Sequence, residues 1–382
     1  MAHSLRALAG LLLIGLLGGG GIACAQSERP PGAPPALDQF DTDLSKTTID
    51  LSTLRPGGPS KDGIPSIDDP AFVSVAAARD WVASQEPVIV VEHNGTAKAY
   101  PLQILTYHEI VNDEIGGTPV AVTFCPLCYS AIAFKRTLDG TPVTFGVSGL
   151  LRKSDLVMYD RRTETLWQQF TGEALVGDRA GEALEIVPAQ LISFRQFAEN
   201  YPEGRVLSRN TGYDRPYGRN PYAGYDDVDS SPFAYDGPTD DRLPPKEKVV
   251  AVSLDGAHKA YPHSITKKRR VIHDTLAGRP LVVFHAPGAV SALDARQIQA
   301  SKEVGSTGVF DRRVEGRTLQ FRYLDEGRFE DTSTGSVWTV TGRAVDGPLK
   351  GTQLPRIPHG DYFAFAWMAF RPDAALYDAF GS

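Results

Sequence analysis

The chain has 382 residues, 42% of them hydrophobic, a formal net charge of −7 and three cysteines. That length holds two domains or one large one. The acidic balance argues against nucleic acid or an anionic membrane surface as partner.

Residues 1–25 have the composition of a signal peptide. Arg6 supplies the positive start, "ALAGLLLIGLLGGGGIA" the apolar stretch, and Ala23-Cys24-Ala25 an A-x-A exit before Gln26. "GIAC" also reads as a degraded lipobox, which would leave Cys24 as a lipidated first residue. The expectation is an exported chain, periplasmic or secreted, either free or held as a membrane-anchored lipoprotein. No second apolar stretch of about 20 residues follows, so no transmembrane span is expected once the signal is removed. Residues 26–68 are rich in Pro, Ser, Asp and Gly and predict an extended tether that packs little.

From residue 69 the composition is globular, and the chain repeats itself. "GTAKAYPLQILTYHEIVNDEIGGTPVAVTFCPLCYSAIA" (95–133) aligns without a gap on "GAHKAYPHSITKKRRVIHDTLAGRPLVVFHAPGAVSALD" (256–294), with 13 of 39 positions identical. Further on, Asp160, Thr163 and Trp167 run in step with Asp331, Thr334 and Trp338. This predicts a tandem internal duplication of a strand-rich unit, 69–207 and 248–375, arranged as a pseudo-twofold pair. Two copies with so long a period do not make a solenoid.

Within the first unit, "PVIVVEHNGTAKAYP" reads as strand, Asn-Gly turn, strand. "TPVAVTF" is a short β-rich run, "KRTLDGTPVTFGVSG" a second hairpin, and "DLVMYD" with "TLWQQF" a third strand pair. Helix is sparser: the stretch around Ile104, Leu105 and His108, the run "CYSAIAF", and "SFRQFAENYP", capped by Ser193 and ended by Pro202. The fold class is α+β with β dominant. Residues 208–247 connect the units and are dense in Tyr, Gly, Pro and Asp. They read as packing on the units, as a loop over a site, or, at Asp226, Asp227 and Asp229, as a calcium loop, though their spacing does not match an EF-hand.

Several stretches together resemble the DUF3179 domain proteins: "FCPLCYSAIAF", "FGVSGLLRKSDLVMYDRRTETLWQQFTGEALVG", "GYDRPYGRNPYAGYD", "TGSVWTVTGRAVDGPL" and "FAFAWMAFRPD". The resemblance covers nearly everything from about residue 70 to 375. It implies no chemistry, because the family name itself records an unknown function.

Chemistry therefore rests on the residues, and first on Cys125-Pro126-Leu127-Cys128. Read as a strand-to-helix junction, this motif would put its thiols at the positive end of a helix dipole, which lowers thiol pKa. Three readings stand. The first is half of a tetrahedral metal site. The second is a thiol–disulfide oxidoreductase pair acting on a thiol or disulfide partner protein. The third is a local disulfide in a non-catalytic binding or scaffold protein, a weak staple given the short loop. The second unit carries Ala286, Ala289 and Arg269 where the first has Cys125, Cys128 and His108, and this joint difference nominates His108 as partner of the thiols. Two thiolates and an imidazole suit copper or zinc. Glu109 is a weaker candidate as acid/base or ligand, and Arg152 and Asp155 as pocket residues. His263, His273 and His285 could form a second metal site. No P-loop, dinucleotide fingerprint, G-x-S-x-G or H-E-x-x-H is present, so no nucleotide cofactor is indicated.

Overall fold

The structure, a computed structural model, describes residues 29–378; the stretch expected to be a signal peptide, and Cys24, lie outside the described residues. It is 40% strand and 12% helix, an α+β chain dominated by β.

Each unit opens the same way. In the first, strand Pro87–His93 pairs with Thr96–Pro101, helix Leu102–His108 follows, then the hairpin Ile110–Ile115 and Thr118–Cys125. In the second, Lys248–Leu254, Ala257–Pro262, helix His263–Arg269, Val271–Leu276 and Arg279–Ala286 come in the same order and lengths. The first turn of each is Asn-Gly or Asp-Gly with both residues at positive φ, 48° and 75° for Asn94-Gly95, the geometry that matches strand twist in two-residue hairpins. Each helix stops at a residue forced to positive φ, Glu109 at 58° and Arg270 at 63°. Later in each unit an aspartate accepts the indole N–H of a buried tryptophan at 3.0 Å, Asp160 from Trp167 and Asp331 from Trp338.

The strands of the first unit form three main sheets. Ala189–Ser193, Pro87–His93, Thr96–Pro101, Arg205–Leu207 and Phe72–Ser74 make one; Ile186–Val187, Ser130–Lys135, Thr118–Cys125 and Ile110–Ile115 make another. The third is an antiparallel meander of Leu54–Pro56, Phe145–Arg152, Asp155–Asp160, Leu166–Gln168 and Ala174–Val176.

The closing helix of each unit packs on its own strands and also reaches the other unit. Phe194–Asn200 starts in a capping box, Ser193 Oγ accepting from Gln196 N and Gln196 Oε1 from Ser193 N. Its Gln196 and Asn200 then bond to Pro287, Ser306, Thr339 and Thr341 of the second unit. Reciprocally, Ala364–Phe370 packs on the first unit, with Phe370 stacked on Phe170 at 4.5 Å.

Two expectations are corrected. The run "CYSAIAF" is not helical: Ser130–Lys135 is a strand antiparallel to Thr118–Cys125, with Cys125 opposite Ser130. The chain reverses within Pro126–Tyr129, where Tyr129 takes φ 57° and its N–H donates to Pro126 O. The segment after residue 28 does not hang free. Leu37, Phe40, Leu51 and Leu54 are buried against Leu150, Val157, Tyr159 and Leu175, and Leu54–Pro56 is an edge strand of the meander. Burying each such side chain is worth about 1.5–3 kcal/mol, enough to hold a Pro-rich segment down.

Candidate metal centre

The Cys125–Cys128 turn and the Asp155 hairpin meet in the first unit's interior. The strands Phe145–Arg152 and Asp155–Asp160 are joined by Lys153 and Ser154, both at positive φ, 53° and 67°. This tight turn brings the Ser154 carbonyl to 3.5 Å from Cys128 Sγ, and Cys125 Sγ lies 4.0 Å from the same oxygen. The next residue, Asp155, completes a cluster: ligand atoms of Cys125, Cys128 and Asp155 all lie within 4.8 Å of one another. Cys125 is 2% exposed; Cys128 and Asp155 are fully buried, and both cysteines are thiols.

Asp155 is fixed by its neighbours. Oδ2 accepts from Gln168 Nε2 at 2.7 Å and from Phe170 N at 2.9 Å, and Oδ1 from Ser130 Oγ at 3.3 Å. Gln169 ties the same wall together, accepting from Ser130 Oγ and donating to Thr123 Oγ1. Arg152 stands one step back, its Nη1 donating to Gln168 Oε1 at 3.3 Å. It is held behind the glutamine rather than at the thiols.

The cluster is acidic and lacks a counter-charge. Burial raises the Asp155 carboxyl to about 7. Glu109, 7% exposed, is pushed to about 8 by burial and then by Asp155. Burial also raises both thiols, and Asp155 pushes each further up. The expectation of acidified thiols at a helix N-terminus is overturned: a strand, not a helix, follows Cys128, so no dipole opposes desolvation. Among the described residues no side chain hydrogen-bonds the Glu109 carboxyl, and no Lys or Arg pairs with Asp155.

His108 is not brought to the thiols. Its Nδ1 donates to Pro65 O at 2.7 Å, which leaves Nε2 to accept from Tyr217 O–H at 2.6 Å. Both ring nitrogens are spent and burial lowers its pKa. The three second-unit histidines do not converge either. His263 bonds Asp361 at 2.8 Å and His285 Nδ1 lies 3.0 Å from Thr266 Oγ1, with the two rings 5.2 Å apart. His273 instead accepts from Phe321 N at 2.9 Å. The aspartates of the connection hold no cluster: Asp226 is bonded to Lys302 and Ser291, and Asp227 takes the backbone N–H of Asp229. Among the described residues, Cys125, Cys128 and Asp155 are the group whose ligand atoms converge. The sequence pointed to the thiols and named Asp155 only as a weaker pocket candidate, because a Lys-Ser turn carries no sign of what it will face.

Beside the cluster lies a cavity of about 840 Å³. Glu109, together with Leu127 and Leu156, the chain neighbours of Cys128 and Asp155, lines it. Tyr222, Tyr225 and Phe233 of the connection roof it, with Tyr225 O–H donating to Leu127 O at 3.2 Å.

A model of a protein family of unknown function, DUF3179, matches residues 61–374. The chain belongs to the DUF3179 family. The match takes in both units, the connection and every member of the cluster. No curated protein and no solved structure matches the chain.

Proposed function

We propose that the first unit holds a metal ion through Cys125, Cys128 and Asp155. The observation that carries this reading is the convergence of three potential anions, with Glu109 beside them, in a buried space with no cation. Burying anions without a partner costs several kcal/mol, and a divalent ion removes that cost as the ligands lose their protons. Two sulfurs with one carboxylate oxygen favour zinc(II) over copper(I), which prefers soft donors alone. Three protein ligands are the set of a catalytic rather than a closed structural zinc site. Such an ion would polarise a bound carbonyl or activate water. Glu109, which lines the cavity beside the cluster, is the group that would take or return a proton.

Elemental analysis of protein purified without chelator tests this. About one zinc per chain is expected, lost in C125S/C128S and reduced at least tenfold in affinity in D155A. His108→Ala should leave the content unchanged. A metal-free protein whose two thiols oxidise and reduce reversibly would sink the metal reading and favour thiol–disulfide exchange, which the closeness of the two sulfurs also permits.

A further inference from the structure

Three segments distant in sequence close around the 840 Å³ cavity: residues 57–64, the strands and turns of the first unit, and the connection. Its size falls within the range of small-molecule pockets. Its lining is dominated by carbon, including Ile64, Val147, Leu151 and Leu156 on one side and Tyr222 and Phe233 on the other. Phe233 is 53% exposed, an aromatic ring left without full cover at a lining position.

The charges on this lining narrow the occupant. Lys246 is its sole basic residue, and its Nζ already donates to Tyr225 O at 2.7 Å and Ser230 Oγ at 2.8 Å. Glu109 is its sole acidic residue. An anionic ligand would meet one ammonium with two of its three N–H groups already donated, and otherwise a carbon-rich wall that solvates no charge. Phosphates, sulfates and carboxylates are therefore disfavoured, and a polyol would leave most hydroxyls facing carbon at a cost of about 1–3 kcal/mol per unpaired group.

We infer that this cavity is a binding site for a neutral, largely apolar organic molecule, with its one polar end towards Glu109. Binding removes apolar surface of ligand and pocket from water together. The connection then has a second role besides joining the units: its Tyr222–Phe233 stretch is the outer wall of the site.

Fluorescence titration with neutral N-phenyl-1-naphthylamine and with anionic 8-anilino-1-naphthalenesulfonate tests the inference. The neutral probe should saturate one site per chain, and the anionic probe should bind at least about tenfold more weakly. Leu127→Trp, which fills the inner wall, and Tyr222→Ala, which opens the roof, should each weaken the neutral probe about tenfold with unchanged circular dichroism. Should one variant fail to fold, the other still decides. Absence of saturable binding, equal binding of the anionic probe, or indifference to the folded variant would overturn the inference. Running the titration on protein as purified and after chelation keeps the two readings apart. Probe binding without metal leaves the cavity assignment standing and removes the metal centre; metal without probe binding does the reverse.

Discussion

The stretches 87–125 and 248–286 repeat the same five elements around two different interiors. Glu109 and Arg270 occupy the same place after matching helices with nearly the same φ, 58° and 63°, yet one is an acid and the other a base. Cys125 and Cys128 are matched by Ala286 and Ala289, which are 0% and 1% exposed. Counted back from the paired aspartates Asp160 and Asp331, Asp155 corresponds to Glu326, whose side chain is 80% exposed and pairs with Arg328. The chain departs there: Thr118–Cys125 returns through a four-residue turn to Ser130–Lys135, whereas Arg279–Ala286 meets its partner strand Ser306–Asp311 only after residues 287–305. All four acidic members of the first interior are absent from the second, while the aspartate–tryptophan bond that organises each meander is in both.

The largest expected effect breaks the comparison by pH. Asp155 and Glu109, ordinarily near 3.8 and 4.5, lie at about 7 and about 8 in the folded chain. The folded state therefore holds protons that the unfolded state has released. Their stabilisation is complete below about pH 4 and is lost as pH rises through 7 to 8, by on the order of 4 kcal/mol per group as an upper bound. In metal-free protein the urea midpoint should fall between pH 5 and pH 8.5, and E109Q/D155N should flatten that slope. Metal-loaded protein should show the opposite trend, because its ligands bind deprotonated. A flat profile in the metal-free wild type would mean the cluster is hydrated rather than buried.

A smaller effect tests what the units share. Asp160→Ala and Asp331→Ala each strand an indole N–H and a threonine hydroxyl. Each should cost about 2–3 kcal/mol by denaturant unfolding, and a large inequality would show that the meanders are not equivalent supports. The smallest effect is at the replaced positions. Ala286→Cys/Ala289→Cys should add two thiols by titration, change stability by about 1 kcal/mol or less and add no metal, since Arg270 stands where Glu109 does and Glu326 faces solvent. Metal gained by that variant would show that two thiols alone make the site.

Much of this was legible from residue order. Asn94-Gly95 and Asp139-Gly140 marked two hairpin turns of the first unit, and Ser193 marked a helix start. The dominance of β followed from the same patterns. What escaped notice escaped for physical reasons. "CYSAIAF" has no charged residue to show a period, and only pairing to Thr118–Cys125 makes it a strand. Leu37 and Leu54 sit among prolines and serines, whose abundance outweighed a few well-spaced apolar residues. His108 stood close to the thiols in the alignment, but its lone pair goes to Tyr217, which lies in the connection. Asp155 reaches the thiols through a turn and a sheet register, and neither is written locally.

One contact also sets an order of events. The carbonyl of Cys128 accepts the backbone N–H of Phe363 at 3.0 Å, immediately before the helix that stacks on Phe170. A chain emerging from the ribosome presents both thiols long before it presents that amide. The turn that carries both thiols is therefore completed only when Phe363, from the far end of the chain, has docked on it.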